Sequence, residues 1–187
     1  MNKKKIGPNP LLMPMPVVII GARVNDKPSF VMVTGCNVTL RKPLSFAVPL
    51  EKDTYVLEGI DKYGVFSMNV PPSDLIEKVD NCSVFSGRDR AQSRVFNSFY
   101  GTLEGAPLVE ECPVNHECKV EDIVDLSTHL LIIGEVIETH VDKHCLAYGA
   151  LEIEKVAPVC MTYTLVSNQY RQLGRVLKVR RCPEGRG

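Results

Sequence analysis

Apolar residues along this chain come in short runs, each cut off by a polar, glycine or proline cluster. Runs of that kind read as strands. Residues 17–22 (VVIIGA) and 30–33 (FVMV) lie on either side of a polar turn at 23–29 and predict a hairpin-like unit. The small residues Thr34-Gly35-Cys36-Asn37 follow. Residues 38–40 and 44–50 flank an Arg41-Lys42-Pro43 turn, and the second run stops at the polar cluster Glu51-Lys52-Asp53-Thr54. Residues 55–62 have helical spacing, with Tyr55, Val56 and Ile60 on one side and Tyr63-Gly64 as the stop. Residues 65–70 read as a strand ended by Pro71-Pro72. Ser73 is an N-cap candidate for a short helix over 74–79, with Asp74 and Glu77 placed where negative charge suits the dipole.

The second half is more broken. Residues 86–98 are polar and Arg-rich, and the pattern fits a loop or a short helix equally. Residues 107–113 are the loosest stretch and read as a loop. Residues 118–123 and 130–138 predict strands; the unbroken apolar stretch 130–133 predicts burial on both faces. Residues 141–147 are expected to pair back and close a barrel. Short strands with only one or two helices favour a mainly β fold, a small barrel with helical decoration. With no repeat and no linker, residues 1–187 are expected to form a single domain.

Composition narrows the function. A 44% hydrophobic content is enough for a sizeable core and argues against disorder. Lys plus Arg and Asp plus Glu both number 22, so the chain lacks the basic excess of a nucleic-acid or anionic-membrane binder. No apolar stretch reaches the length of a membrane span, and prolines break the run after the Lys-rich start. A cytoplasmic protein is expected. The cysteine count of seven is odd, and none forms a C-x-x-C pair, which suits a reducing compartment. Cys112, His116 and Cys118 are spaced too widely for a zinc knuckle. His140, His144 and Cys145 form an equally weak metal pattern, and no metal is expected.

Two stretches carry candidate chemistry. Lys52 and Thr54 put a cation and a hydroxyl at one turn between a strand and a helix start, which is a plausible phosphate seat; the competing reading is a solvated turn. Thr34-Gly35-Cys36-Asn37 places small side chains on a β-branched strand, where a glycine often marks close approach of a ligand. Backbone N–H groups there, with Asn37, suit the polar edge of a planar ring; an ordinary bulge fits as well. There is no dinucleotide-binding glycine fingerprint and no P-loop.

The pieces PMPVVIIGA (14–22), VTGCNVTLRKP (33–43), KPLSFAVPLEKDTYVLEGI (42–60), VFSMNV (65–70), SGRDR (86–90) and HLLIIGEVIETHVD (129–142), with EIEKVAPV and QYRQLGRVL near the C-terminus, occur in order. This ordered set resembles the flavin reductase-like, FMN-binding split-barrel family, and within it the flavoredoxin branch. The resemblance implies a split β-barrel that binds FMN and moves electrons between NAD(P)H, or a redox protein donor, and an acceptor. It implies that Val33, Thr34, Gly35, Cys36 and Asn37 line the flavin ring. Lys52 and Thr54 would hold the phosphate, and Ser86, Gly87 and Arg88 would approach the cofactor. His129 would stand near the nicotinamide as the catalytic candidate, although a histidine before a buried strand is more often structural. A homodimer with FMN at the interface is implied as well. Three departures stand out. Glu51 sits where the branch often has arginine, which weakens the anchor unless Glu51 points outward, with Arg41 or Arg88 as replacement cations. Arg94 stands where a lysine is usual. Cys36 beside the ring either tunes it or is a small apolar filler, the reading preferred here. The competing function is a non-catalytic split-barrel module that lacks flavin or binds haem.

Overall fold

The computed structural model describes residues 2–84, 95–164 and 166–177. It opens with the expected hairpin, β1 (Met15–Val24) and β2 (Lys27–Thr34). Asn25 and Asp26, both at positive φ, form its two-residue turn and leave Val24 opposite Lys27. β3 (Asn37–Arg41) and β4 (Leu44–Glu51) form a second hairpin, followed by α1 (Val56–Tyr63) and β5 (Val65–Val70). Gly64 ends α1 in the left-handed conformation, its N–H donating to Ile60 O at 2.8 Å.

Beyond β5 the expected capped helix differs in detail. Ser73–Leu75 is a 3-10 turn, and α2 runs Ile76–Val84. Ser73 is not a side-chain cap; its Oγ accepts from Gln172 Nε2 at 2.7 Å. The stretch 107–113 is not wholly a loop: β6 (Ser98–Phe99) pairs with β7 (Leu108–Val109). β8 (Val114–Asp125) and β9 (His129–Val141) are longer than the apolar runs that signalled them, because their outer halves alternate with charge.

The stretch 141–147 does not close the barrel. β9 ends at Val141, Lys143–Cys145 is a 3-10 turn, and β10 (Leu146–Ala147) pairs only with β11 (Ala150–Leu151). After α3 (Ile153–Val156), β12 (Val159–Tyr163) and β13 (Asn168–Gln172) form a C-terminal hairpin that joins the sheet at Met15 and Pro16.

The strand order is β13-β12-β1-β5-β8-β9-β4-β3, with β2 attached to the other side of β1. β2 therefore approaches β4 from the far end of the path, but the two share no ladder among the described residues. That seam is the split in the barrel.

β1 is buried on both faces, which explains its unbroken apolar run. Val18, Ile20 and Ala22 enter the barrel core with Phe46, Val48, Leu50, Phe66 and Ile132. Val17 and Ile19 pack on the opposite side with Phe30, Val79, Phe96 and Met161. The 130–133 stretch of β9 is not buried on both faces: Ile132 is buried, while Leu130, Leu131 and Ile133 are half-buried. Its outer face remains partly open, and Ile123, Val124, Leu126 and Ile137 are exposed on or beside the same strands.

Buried polar groups tie the loops to this frame. Asn69 Nδ2 donates to Ile19 O at 3.0 Å, and Asn69 Oδ1 accepts from Val109 N at 3.0 Å and Asn115 Nδ2 at 2.9 Å. Glu117, fully buried, accepts from Thr102 N at 3.0 Å and Leu103 N at 2.5 Å, and meets His140 Nε2 at 2.7 Å. His140 is thus committed to a carboxylate. The described residues hold no cluster of three or more metal-ligating side chains and no helix long and apolar enough to cross a membrane.

Candidate functional site

A cleft of about 310 Å³ lies at the β2–β4 seam. Val31, Met32, Val33 and Thr34 form one wall, Pro49, Leu50 and Glu51 the other, and Thr54, His129 and Tyr163 complete it. Its size is at the lower end for a small-molecule pocket, roughly 300–1,000 Å³.

Thr54 is placed by the turn that follows β4. Its N–H donates to Glu51 O at 3.0 Å, and its carbonyl accepts from Leu57 N at 3.1 Å as α1 begins. The residue is only 6% exposed, and its hydroxyl has no hydrogen-bond partner among the described residues. Two of the opening amides of α1 are already taken, Leu57 N by Thr54 O and Glu58 N by Tyr55 O at 3.2 Å. Thr54 therefore brings to the cleft a hydroxyl with no partner among the described residues.

His129 is placed by the β8–β9 hairpin. Leu126 N donates to His129 O at 2.9 Å, and Thr128 Oγ1 meets His129 Nδ1 at 2.8 Å. Nε2 has no partner among the described residues. The β4–β9 ladder sets Glu51 directly across from His129. Glu51 lines the same cleft as Thr54.

Lys52 is not among the lining residues. Its Nζ lies 2.5 Å from Asp125 Oδ1, and its N–H donates to Thr128 O at 3.3 Å. Arg41 lies at the opposite end of β4, roughly 23 Å away at the usual rise per residue, so it does not supply a cation here.

The loop 34–37 is not a strand with a glycine inside it. β2 ends at Thr34, Gly35 turns at φ +82, and β3 begins at Asn37. Val33 and Thr34 line the cleft; Gly35, Cys36 and Asn37 do not. Cys36 is 6% exposed within the barrel core, and burial pushes its thiol up to about 12, which suits a filler rather than a reactive thiolate. Asn37 is exposed and pairs with Ala47. Ser86, Gly87, Arg88 and Arg94 lie outside the described residues.

The structure thus brings Val33, Thr34, Thr54 and His129 together. It adds Val31, Met32 and Tyr163, which no local motif marked, and Pro49, Leu50 and Glu51 from the strand and turn that precede Thr54. Tyr163 arrives from the last residue of β12, and Met32 is backed by Tyr170, whose hydroxyl lies 3.6 Å from its sulfur.

Residues 11–157 match the profile of the flavin reductase like domain. The chain belongs to this family. Its fold is a split β-barrel, and solved flavoredoxins share it closely. The flavoredoxin of Methanosarcina acetivorans is 31% identical, with a TM-score of 0.87 over 95% of each chain. That of Desulfovibrio vulgaris (Miyazaki F) is 28% identical, with a TM-score of 0.87 over 98% of this chain and 100% of the other. An NADH-dependent FMN reductase from Streptomyces nodosus subsp. asukaensis is 26% identical over 132 residues, 69% of this chain and 70% of the relative. Membership in this family, with a flavin-related redox role, agrees with the resemblance read from the ordered motifs.

Proposed function

We propose that this chain is an FMN-dependent oxidoreductase of a single domain, working as a cytoplasmic homodimer that takes electrons from NAD(P)H or from a redox protein and passes them to an acceptor. One observation carries the reading: the hydroxyl of Thr54 and the Nε2 of His129, neither with a hydrogen-bond partner among the described residues, belong to residues that line the same cleft, between the apolar walls of β2 and β4. The family and the printed activities of its relatives support it.

The residues present fit a flavin. Val31, Val33, Pro49 and Leu50 offer apolar surface to a planar ring, and the Thr54 hydroxyl offers a neutral donor to an oxyanion. FMN, when bound, supplies the redox chemistry of its ring. The protein binds and orients. Thr128 fixes the His129 ring through Nδ1 and leaves Nε2 able to hold a proton toward the cleft. A dimer is supported by apolar side chains exposed on neighbouring strands, among them Val38, Leu40, Ile123 and Ile137.

The test is an anaerobic absorption spectrum of FMN-saturated, desalted protein before and after NADH or NADPH. Bleaching of retained flavin within seconds identifies a nicotinamide-driven reductase. Retained flavin that persists with both nucleotides identifies a carrier reduced by a protein. Failure to bind FMN in a titration overturns the proposal and favours a barrel without flavin.

A further inference from the structure

Among the described residues, the lining of the cleft around Thr54 holds a carboxylate and no lysine or arginine. That carboxylate is Glu51. Lys52, the only cation of the 51–54 turn, is held by Asp125 at 2.5 Å although its side chain is 41% exposed. Asp53 adds a further carboxylate to the same turn. The 51–54 turn thus carries two carboxylates and one lysine, and that lysine is paired with Asp125. Among the described residues that line the cleft, His129, across the ladder from Glu51, and Tyr163 are the other titratable groups. The favourable element, the Thr54 hydroxyl, carries no full charge. It suits a neutral hydroxyl as well as an oxyanion.

We propose that Glu51 sets the ligand class of the cleft: it cancels the contribution of a terminal phosphate, so the chain takes flavins by ring and ribityl chain and accepts riboflavin about as well as FMN. This rests on the flavin reading above and adds a specificity-determining residue to it. The physical basis is that a like charge beside a bound anion opposes binding, and opposes it more when the site excludes water. Replacing Glu51 by glutamine removes the carboxylate and keeps the shape, while lysine reverses its sign. Glu51 is exposed at the end of β4, so neither change disturbs the core.

The experiment is a pair of fluorescence-quenching titrations, FMN and riboflavin, on wild type, Glu51→Gln and Glu51→Lys at low and moderate salt. The readout is the ratio of FMN to riboflavin affinity. For wild type the ratio is expected within about threefold of unity, and Glu51→Gln raises it about tenfold, equal to about 1.4 kcal/mol. Glu51→Lys raises it further, with an increase that salt weakens. A wild-type ratio of about a hundredfold in favour of FMN, or a ratio that Glu51→Gln leaves unchanged, overturns the role of Glu51 while leaving the flavin reading intact. Failure of both flavins to bind overturns both.

Discussion

Lys52 and Asp125 are joined by an ion pair of 2.5 Å that spans the gap between the β4–α1 turn and the β8–β9 hairpin. The lysine that local sequence marks as a phosphate ligand is thereby occupied by a carboxylate 73 residues away. Both side chains are substantially exposed, so the pair contributes little to stability, about 0–1 kcal/mol. Its consequence lies in the charge it withholds from the cleft. Asp125→Asn is predicted to free Lys52 and to tighten FMN binding severalfold, about 0.5–1 kcal/mol, with the gain shrinking as salt rises. Isothermal titration at two ionic strengths checks this, and unchanged affinity at low salt would show that Lys52 does not reach the ligand.

Thr54 is the buried donor of the cleft. Thr54→Val keeps the volume and removes the hydroxyl, and is predicted to weaken FMN binding by about 1–1.5 kcal/mol, near tenfold. Thr54→Ser should retain most of the affinity. Thermal melts separate binding from folding, since the hydroxyl has no partner within the described protein and its loss should leave the melting temperature nearly unchanged.

Much of the fold could be read from the chain because β1 is buried on both faces and β4 on one. The run 17–22 has partners on both sides, so it stays apolar without alternation. The C-terminal hairpin β12–β13 was not legible, because its strands are short, its outer positions are polar, and its place is set by pairing to Met15 and Pro16. The supposed closing strand at 141–147 failed for the opposite reason: a few apolar residues sufficed to suggest a strand, but Cys145 serves a small satellite core with Val114 and Val156. Within the site, Thr54 and His129 were recognisable from their places after a strand and before one. At the end of β4 the cleft touches Leu50 and Glu51 alike.

Gly101 is required by close approach rather than by conformation. A Cβ there would collide with the Glu117 carboxylate and come within 2.9 Å of His140 Nε2. Gly101→Ala is predicted to expel the loop amides of Thr102 and Leu103 from Glu117 and to cost about 2–4 kcal/mol, since it leaves a buried carboxylate short of partners. Urea denaturation measures it; a change below about 0.5 kcal/mol, the usual scale of surface substitutions, would contradict the packing described.

Acid should destabilise the fold in two stages. Burial, reinforced by the nearby His140, lowers His116 to about 4 from its ordinary value. The unfolded chain then binds the extra proton first, so stability falls as pH drops from about 6.5 toward 4. Burial opposes the charge of Glu117, but hydrogen bonds from His140, Leu103 and Thr102 outweigh it and hold its carboxyl below the ordinary range. Its contribution is complete above about pH 4.3 and is lost as pH falls through the lower native value. Denaturation curves from pH 8 to 3 should show both windows. His116→Gln should flatten the upper one, and a stability independent of pH between 6.5 and 4 would rule this account out.

The central claim is that the seam between β2 and β4 holds the flavin. The crystal structure of the protein grown with FMN tests it most directly. The predicted result is an isoalloxazine against Val33 and Pro49, with the ligand within hydrogen-bond reach of the Thr54 hydroxyl and near His129 Nε2. Flavin bound elsewhere on the barrel, with Thr54 and His129 untouched, would contradict it.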